Sequence, residues 1–341
     1  MTNTTSQIHF PAPYLIYLGD ETSEDNCKTG FGIAEWANHN CIGQLRSNAD
    51  TVSIGLADMN IEQAVKAGAN SLILGIAGVG GQIPPSWHCD LIQAATLGMT
   101  IVSGAHERLA QLPGLLEAAQ GSGARLVEIR DSEARFPVAT GDKRKGKRLL
   151  SVGTDCALGK KYTALAITRE MQRRGTDCTF RATGQTGIMI AGAGIAIDAI
   201  VSDFVAGAAE ALSPEATANH WDIIEGQGSL LHPGYAAVTL GLLHGSQPDE
   251  LVLCHDPRRM YNLDSPHIKI PPLSEVIDLY LSLGRLTNPA IQCRAISLNT
   301  RGMREDHRTE AFEKIAEETG LIVFDPVATG VDELVDALGA L

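Results

Sequence analysis

The stretch Ser151-Val-Gly-Thr-Asp-Cys-Ala-Leu-Gly-Lys-Lys-Tyr-Thr163 limits what this chain can fold into more than any other. Leu149-Leu150 with Ser151-Val152 read as a short buried strand, and an amphipathic helix follows as far as Gly175. A strand, a glycine-bearing loop closing in Gly-Lys and a helix make a phosphate cradle. Loop N–H groups and the helix N-terminus point at an anion, and Lys160 reaches its oxygens. The run Gly153, Thr154, Asp155, Cys156, Ala157, Leu158, Gly159, Lys160, Lys161, Tyr162 and Thr163 is therefore the expected cofactor-binding segment. Two irregularities matter. Five residues separate Gly153 from Gly159, one more than the usual P-loop spacing, and Lys161 stands where a Ser or Thr would ligate Mg²⁺. A phosphorylated cofactor is expected, and Mg²⁺ chemistry is disfavoured.

A length of 341 residues suits about two domains, each large enough for its own core. The net charge of −13 speaks against general affinity for nucleic acid or anionic membrane. An anionic ligand must then be gripped by local Lys, Arg and backbone donors. The seven cysteines are scattered and form no C-x-x-C pair, which reads as a reduced, cytoplasmic protein with no zinc site or disulfide framework. Met1–Phe10 lacks the apolar core of a signal peptide, and the apolar run Ile188–Val201 is too short for a bilayer and contains Asp198. No metal, membrane or nucleic-acid partner is expected, and the chain is expected to form a homo-oligomer.

The first half alternates short strands (Pro13–Leu18, Thr51–Gly55, Ser71–Ile76, Thr100–Ser103, Arg125–Ile129) with helices (Ile61–Ala67, Cys89–Leu97, Leu115–Ala119). Such alternation predicts a doubly wound, Rossmann-like parallel sheet over residues 1–147, with loops Asp25–Gly30 and Ala77–Trp87 at its ligand edge. The basic run Asp142–Arg148 reads as a solvated linker, with a smaller expectation that it adds to the field around the anion. Residues 148–341 read as a P-loop NTPase-like α/β domain, with strands at Cys178–Ala182, Trp221–Ile224, Glu250–Cys254, Ala295–Leu298 and Leu321–Phe324.

Chemistry-bearing residues gather at strand ends. Trp221-Asp-Ile-Ile-Glu-Gly-Gln-Gly delivers Glu225 to the end of a buried strand, where glycines let the backbone approach a ligand. Asp155 lies inside the cradle loop, where a carboxylate must hold a cation or a substrate ammonium. Arg181-Ala-Thr-Gly-Gln-Thr-Gly187 offers Thr183 and Gln185 as donors, and Arg258, Arg259 and Arg301 follow other strands. Arginines grip carboxylates bidentately. Histidines His88, His232 and His255 lie at the same edge without an assignable partner.

The cradle and the strand ending Glu225-Gly-x-Gly together resemble the dethiobiotin synthetase and cobyrinate amidase branch of P-loop proteins. A closer resemblance is to the D-glutamate N-acetyltransferase family, once classed only as of unknown function. It rests on GTDCALGKKYTAL, RATGQTG, WDIIEGQGSLLHPGY, LVLCHDP, TNPA, SLNT, DPVATGVDELVDAL and, in the first half, AGVGGQIPPSW. The resemblance implies transfer of acetyl from acetyl-CoA to the amine of an acidic amino acid, D-glutamate above others. Glu225 or Asp155 would then be base or ammonium holder, the Thr183–Gly187 segment with Gln185 would supply donors to the thioester oxygen, and Arg258, Arg259 or Lys28 would grip the substrate carboxylates. The lysine at 161 departs from the wider P-loop pattern, leaving Thr163 as the nearest hydroxyl. The alternative is a Mg²⁺-ATP-dependent kinase or ligase on a small carboxylic acid, and after it a nucleotide-binding regulator that lacks an Asn-Lys-x-Asp guanine signal.

Overall fold

The computed structural model describes residues 8–76, 82–130, 135–263 and 265–339. They sort into two compact units. One comprises the described residues of 6–133 with Gly184–Ala199; the other comprises those of 134–183 and 200–341. The division therefore falls earlier than residue 147 and returns one segment of the second half to the first unit.

The first unit contains β1 (Ile8–His9), β2 (Tyr14–Gly19), α1 (Lys28–Trp36), β3 (Cys41–Arg46), α2 (Ile61–Lys66), β4 (Ser71–Leu74), α3 (His88–Thr96), β5 (Thr100–Ser103), α4 (Leu115–Ser122) and β6 (Leu126–Glu128). Five strands pair in parallel in the order β3-β2-β4-β5-β6. The central three are buried along their whole length. Strands covered on both faces need apolar side chains on both, which is why YLIYLG, SLIL and TIVS read as continuous runs. Leu15, Tyr17, Leu72, Leu91, Ile101 and Leu115 form part of the core.

Two expectations fail here. Thr51–Gly55 is not a strand; Ile54 N donates to Gln44 Oε1 at 2.8 Å and Val52 N to Glu21 O at 2.9 Å, so these donors serve a turn instead of a ladder. The strand is Cys41–Arg46, disguised by a glycine that Ala57 O approaches closely and by a buried Gln44. The segment Asp25–Gly30 is helical, not a loop: a single turn over Glu24–Cys27 runs into α1. Gly30 is there for close packing, since its N–H donates to Gly75 O at 2.7 Å and an added Cβ would sit 3.1 Å from Leu18. Of the loop 77–87, residues Ala77–Gly81 lie outside the described residues, and Trp87 is a core side chain donating to Asp20 Oδ1 at 2.6 Å.

The chain continues with β7 (Lys147–Gly153), α5 (Lys160–Arg173), β8 (Cys178–Arg181), α6 (Gln185–Ala191), β9 (Ala193–Gly194), α7 (Val205–Leu212), β10 (Trp221–Ile224), α8 (Ala236–Ser246), β11 (Glu250–His255), β12 (Tyr261–Asn262), β13 (Ser265–Lys269), α9 (Leu273–Gly284), β14 (Gln292–Leu298), α10 (Glu305–Thr319), β15 (Ile322–Phe324) and α11 (Asp332–Ala337). Helix α6 and β9 belong to the first unit, where β9 pairs with β1 and Thr186 Oγ1 meets Thr29 Oγ1 at 2.9 Å. The second unit is a parallel sheet in the order β15-β14-β11-β7-β10-β8. Strand β7 lies where the order reverses, with β10 on one side and β11 on the other, so its carboxyl end opens at the switch point where such sheets bind ligands.

The basic run Asp142–Arg148 is solvated only in part: Lys143, Lys145 and Lys147 are exposed, and the run ends inside β7. Arg148 is fully buried, donating to Ser213 Oγ at 2.6 Å and to the carbonyls of Arg144, Lys145, Gly146, Ser213 and Pro214. It sits at the opposite end of β7 from the cradle, roughly 17–20 Å away at the rise of a strand, and adds little to the anion's field.

Candidate active site

Strand β7 delivers Gly153 to the cradle, and the loop turns into α5 through Ala157 (φ 54°) and Gly159 (φ 104°). Both are left-handed, which glycine adopts freely and alanine at a cost. The buried Tyr280, its phenol pushed up to about 12 by burial, donates to Gly153 O at 2.8 Å and accepts from Leu230 N at 3.2 Å. Lys160 is buried and bonds Asp155 O at 2.8 Å, and desolvation lowers the pKa of its ammonium. A buried cation at the first residue of a helix favours an anion. Gly226, after β10, passes so close that a Cβ would lie 1.7 Å from Ser151 O, so only glycine fits there.

Asp155 does not stand in the loop as an available base. It is fully buried, and its Oδ2 accepts from Arg259 Nη1 at 3.0 Å and Leu263 N at 2.8 Å, while Oδ1 accepts from Cys156 N at 2.7 Å. Arg259 Nη1 also donates to Cys156 O at 2.7 Å. The pair shapes the loop, and Arg259 is thereby drawn away from a substrate clamp. Arg258 is drawn away likewise: it forks onto Asp256 at 2.9 and 2.8 Å and donates to Arg301 O at 2.9 Å. Arg301 itself is exposed.

Glu225 is buried at the end of β10 and accepts from Thr183 N at 3.0 Å through Oε2. Thr183 Oγ1 donates to Glu225 O at 2.6 Å and accepts from Gln227 Nε2 at 3.2 Å. The ends of β8 and β10 are thus tied together around one carboxylate. Thr163 is not a phosphate hydroxyl: it is buried, within 2.7 Å of Ser297 Oγ on β14, in the seam between α5 and the sheet. Lys161 lies over the Tyr162 ring at 4.5 Å. Thr154 bonds His255 Nδ1 at 3.0 Å, and burial lowers that imidazole's pKa to about 4, so it is neutral at pH 7.

A cavity of about 440 Å³ adjoins this arrangement, lined by His255, Arg258, Arg259, Lys269, His307 and Lys314, with Glu310 and Glu318 also on its wall. Arg259 belongs to both the cavity wall and the cradle. Lys269 and Lys314 were not legible as site residues, being single lysines on a short ribbon and on a helix.

Lys28 and Gln185 stand in the first unit, at the first residues of α1 and α6. With its amide oriented to satisfy both atoms, Gln185 donates to Gly104 O at 2.8 Å and accepts from Arg130 Nε at 2.6 Å. The second unit thus gathers the cradle, Glu225, Thr183, Arg258, Arg259 and Arg301, and the first holds Lys28 and Gln185.

The sequence profile of a C-terminal P-loop domain of unknown function, DUF1611, matches residues 137–335, and that of its Rossmann-like N-terminal partner matches residues 42–132. The chain belongs to the DUF1611 family. A crystal structure of a DUF1611 family protein from Anabaena variabilis shares 35% identity at a TM-score of 0.84, over 97% of this chain and 100% of that one. A protein of Pseudoalteromonas sp. named D-glutamate N-acetyltransferase is 44% identical over 95% of this chain and 97% of its own length. One of the same name from Tritonibacter scottomollicae is 42% identical over 96% and 99%.

Proposed function

We propose that this chain is a D-glutamate N-acetyltransferase that draws its acetyl group from acetyl-CoA. The observation that carries the donor is the cradle itself. It presents a buried Lys160 and backbone donors, while the position after it is Lys161 and the next hydroxyl, Thr163, is committed to Ser297. That set suits a diphosphate better than a Mg²⁺-bound nucleoside triphosphate. The adjoining cavity with Lys269 and Lys314 gives room and positive charge for the rest of an extended phosphorylated cofactor. When bound, acetyl-CoA supplies an activated acyl carbonyl.

Glu225 holds the acceptor's ammonium and takes the proton it gives up, so that a neutral amine attacks. Thr183 N–H keeps the carboxylate aimed. Arg301 is the cation proposed for the acceptor's carboxylates, because Arg258 and Arg259 are paired with Asp256 and Asp155. The same reading makes the enzyme a cytoplasmic homo-oligomer, which cell fractionation and light scattering check.

The test supplies purified protein with acetyl-CoA or Mg-ATP against D-glutamate, L-glutamate and neutral D-amino acids, following thiol and ADP release. Thiol release specific to D-glutamate and undiminished by EDTA is expected. ADP release without thiol release overturns the donor, and equal turnover of all acceptors overturns the substrate.

A further inference from the structure

His232 stands beside the cradle with one ring atom unaccounted for. One ligating atom each of Asp155, Cys156 and His232 lie within 4.8 Å of one another. The imidazole is 5% exposed and stacks on Tyr235, ring centroids 4.5 Å apart. Its Nδ1 accepts from Gly234 N at 3.1 Å, and Asn262 Nδ2 donates to Leu231 O at 3.0 Å, steadying the preceding peptide. Nε2 is buried and meets no hydrogen-bond partner among the described residues. A buried polar atom left unpaired carries a free-energy penalty that a ligand can remove.

A trio of Asp, Cys and His suggests a metal, and two observations oppose it. The Gly234 N–H occupies the Nδ1 lone pair, so the neutral ring carries its proton on Nε2, whereas a metal at Nε2 needs the lone pair there. The Asp155 carboxylate already accepts from Arg259, Leu263 N and Cys156 N, and a cation would have to displace the guanidinium. What the geometry leaves is a fixed N–H donor in search of an acceptor. No acceptor among the described residues bonds it, so the acceptor sought is one that a ligand brings.

We infer that His232 Nε2–H is an additional binding group of the cradle, donating to an oxygen of the phosphate held there. The inference rests on the reading of the cradle as a phosphate site. A neutral donor adds direction without charge, which suits a position beside an acidic loop residue. It also accounts for a histidine seven residues after Glu225 in a segment otherwise occupied with backbone turns.

The test is calorimetry with CoA and with inorganic pyrophosphate on the full chain, the two probes separating cofactor from bare diphosphate. Wild type should bind both. His232→Leu should weaken both by about 10- to 100-fold, the worth of one hydrogen bond to a charged group. His232→Gln should recover most of the affinity, because its amide can accept from Gly234 and donate in place of Nε2. Unchanged binding in His232→Leu, with wild type still binding, overturns the role of His232 alone. Absence of binding by wild type removes the cradle reading and the proposal with it. One equivalent of Zn²⁺ or Co²⁺ bound by wild type and lost in His232→Leu assigns the trio to a metal and refutes the donor. Should His232→Leu fail to fold, imidazole ¹H–¹⁵N spectra of wild type decide: the Nε2–H resonance should shift on adding CoA, and an unmoved resonance overturns the inference.

Discussion

Arg259→Ala separates two accounts of one arginine. A substrate clamp would raise KM for the acidic acceptor and spare acetyl-CoA. The structure predicts the reverse, because Arg259 Nη1 holds Asp155 Oδ2 at 3.0 Å and Cys156 O at 2.7 Å, both within the cradle loop. Truncation strands a carboxylate that is 0% exposed. Removing one partner of a buried pair costs about 3–5 kcal/mol in general. Here the arginine side chain is 17% exposed, and Asp155 keeps the N–H groups of Cys156 and Leu263, so about 2–3 kcal/mol is expected. For a unit of this size that is a fall in Tm of about 4–12 °C.

The loop that loses these contacts is the proposed phosphate cradle, so KM for acetyl-CoA should rise about tenfold or more while KM for D-glutamate stays within about twofold. Two further variants sharpen the test. Both contacts come from a single nitrogen, so Arg259→Lys, with one multiply donating ammonium, should restore part of the loss. The double variant Asp155→Asn with Arg259→Ala removes the stranded charge, so its Tm should lie above that of Arg259→Ala alone. Thermal melts and two-substrate steady-state kinetics provide the measurements. A higher KM for D-glutamate with an unchanged KM for acetyl-CoA would refute the loop-shaping role.

Lys160→Ala should raise KM for acetyl-CoA about 10- to 100-fold with little change in kcat at saturation, because its ammonium is proposed to meet phosphates remote from the reacting carbon. An unchanged KM would detach the cradle from the cofactor. Glu225→Gln keeps an oxygen for the Thr183 N–H and so should fold normally, yet lower kcat by about 10²–10⁴-fold, with partial recovery at high pH where more amine arrives deprotonated; near-normal kcat at neutral pH removes the base assignment. His255 titrates at about 4 in the fold and at 6.5 when unperturbed, so the unfolded chain binds more protons between these values. Its contribution is fully present above pH 6.5 and is lost as pH falls toward 4, about 3 kcal/mol in all. Urea melts should show this loss in wild type and much less of it in His255→Asn, and parallel pH curves for the two would contradict the buried neutral imidazole.

What could be read in advance divides along physical lines. The central strands were legible because burial on both faces demands unbroken apolar runs, as in Leu72-Ile-Leu74 and Ile223-Ile224. Edge strand β3 was not, since it carries Gln44 on a side-chain network to Ser53 and Asp58 that no apolar period reports. Glycine misled at Gly30, which lies in a helix against the Gly75 carbonyl and serves packing instead of turning. Helix α6 was hidden for a different reason. The segment belongs to a unit that precedes it in the chain by more than fifty residues, so its neighbours in sequence say nothing about its neighbours in space.

The site shows the same division at the level of single charges. Sequence identifies which side chains reach the ligand edge of a sheet, because strand ends and glycine loops are local features. It does not say how those charges pair, because pairing is set by elements that meet only in the fold. Asp155 and Glu225 looked equivalent as bases. In the structure Asp155 pairs with an arginine 104 residues away and accepts from the Leu263 N–H, and Glu225, buried beyond β10, accepts from the Thr183 N–H. A carboxylate whose charge is already balanced gains little by taking a proton and has no reason to hold an ammonium. Because Asp155 is already paired with Arg259, Glu225 is the carboxylate proposed as base, and a comparison of Asp155→Asn with Glu225→Gln should separate a loss of cofactor affinity from a loss of turnover.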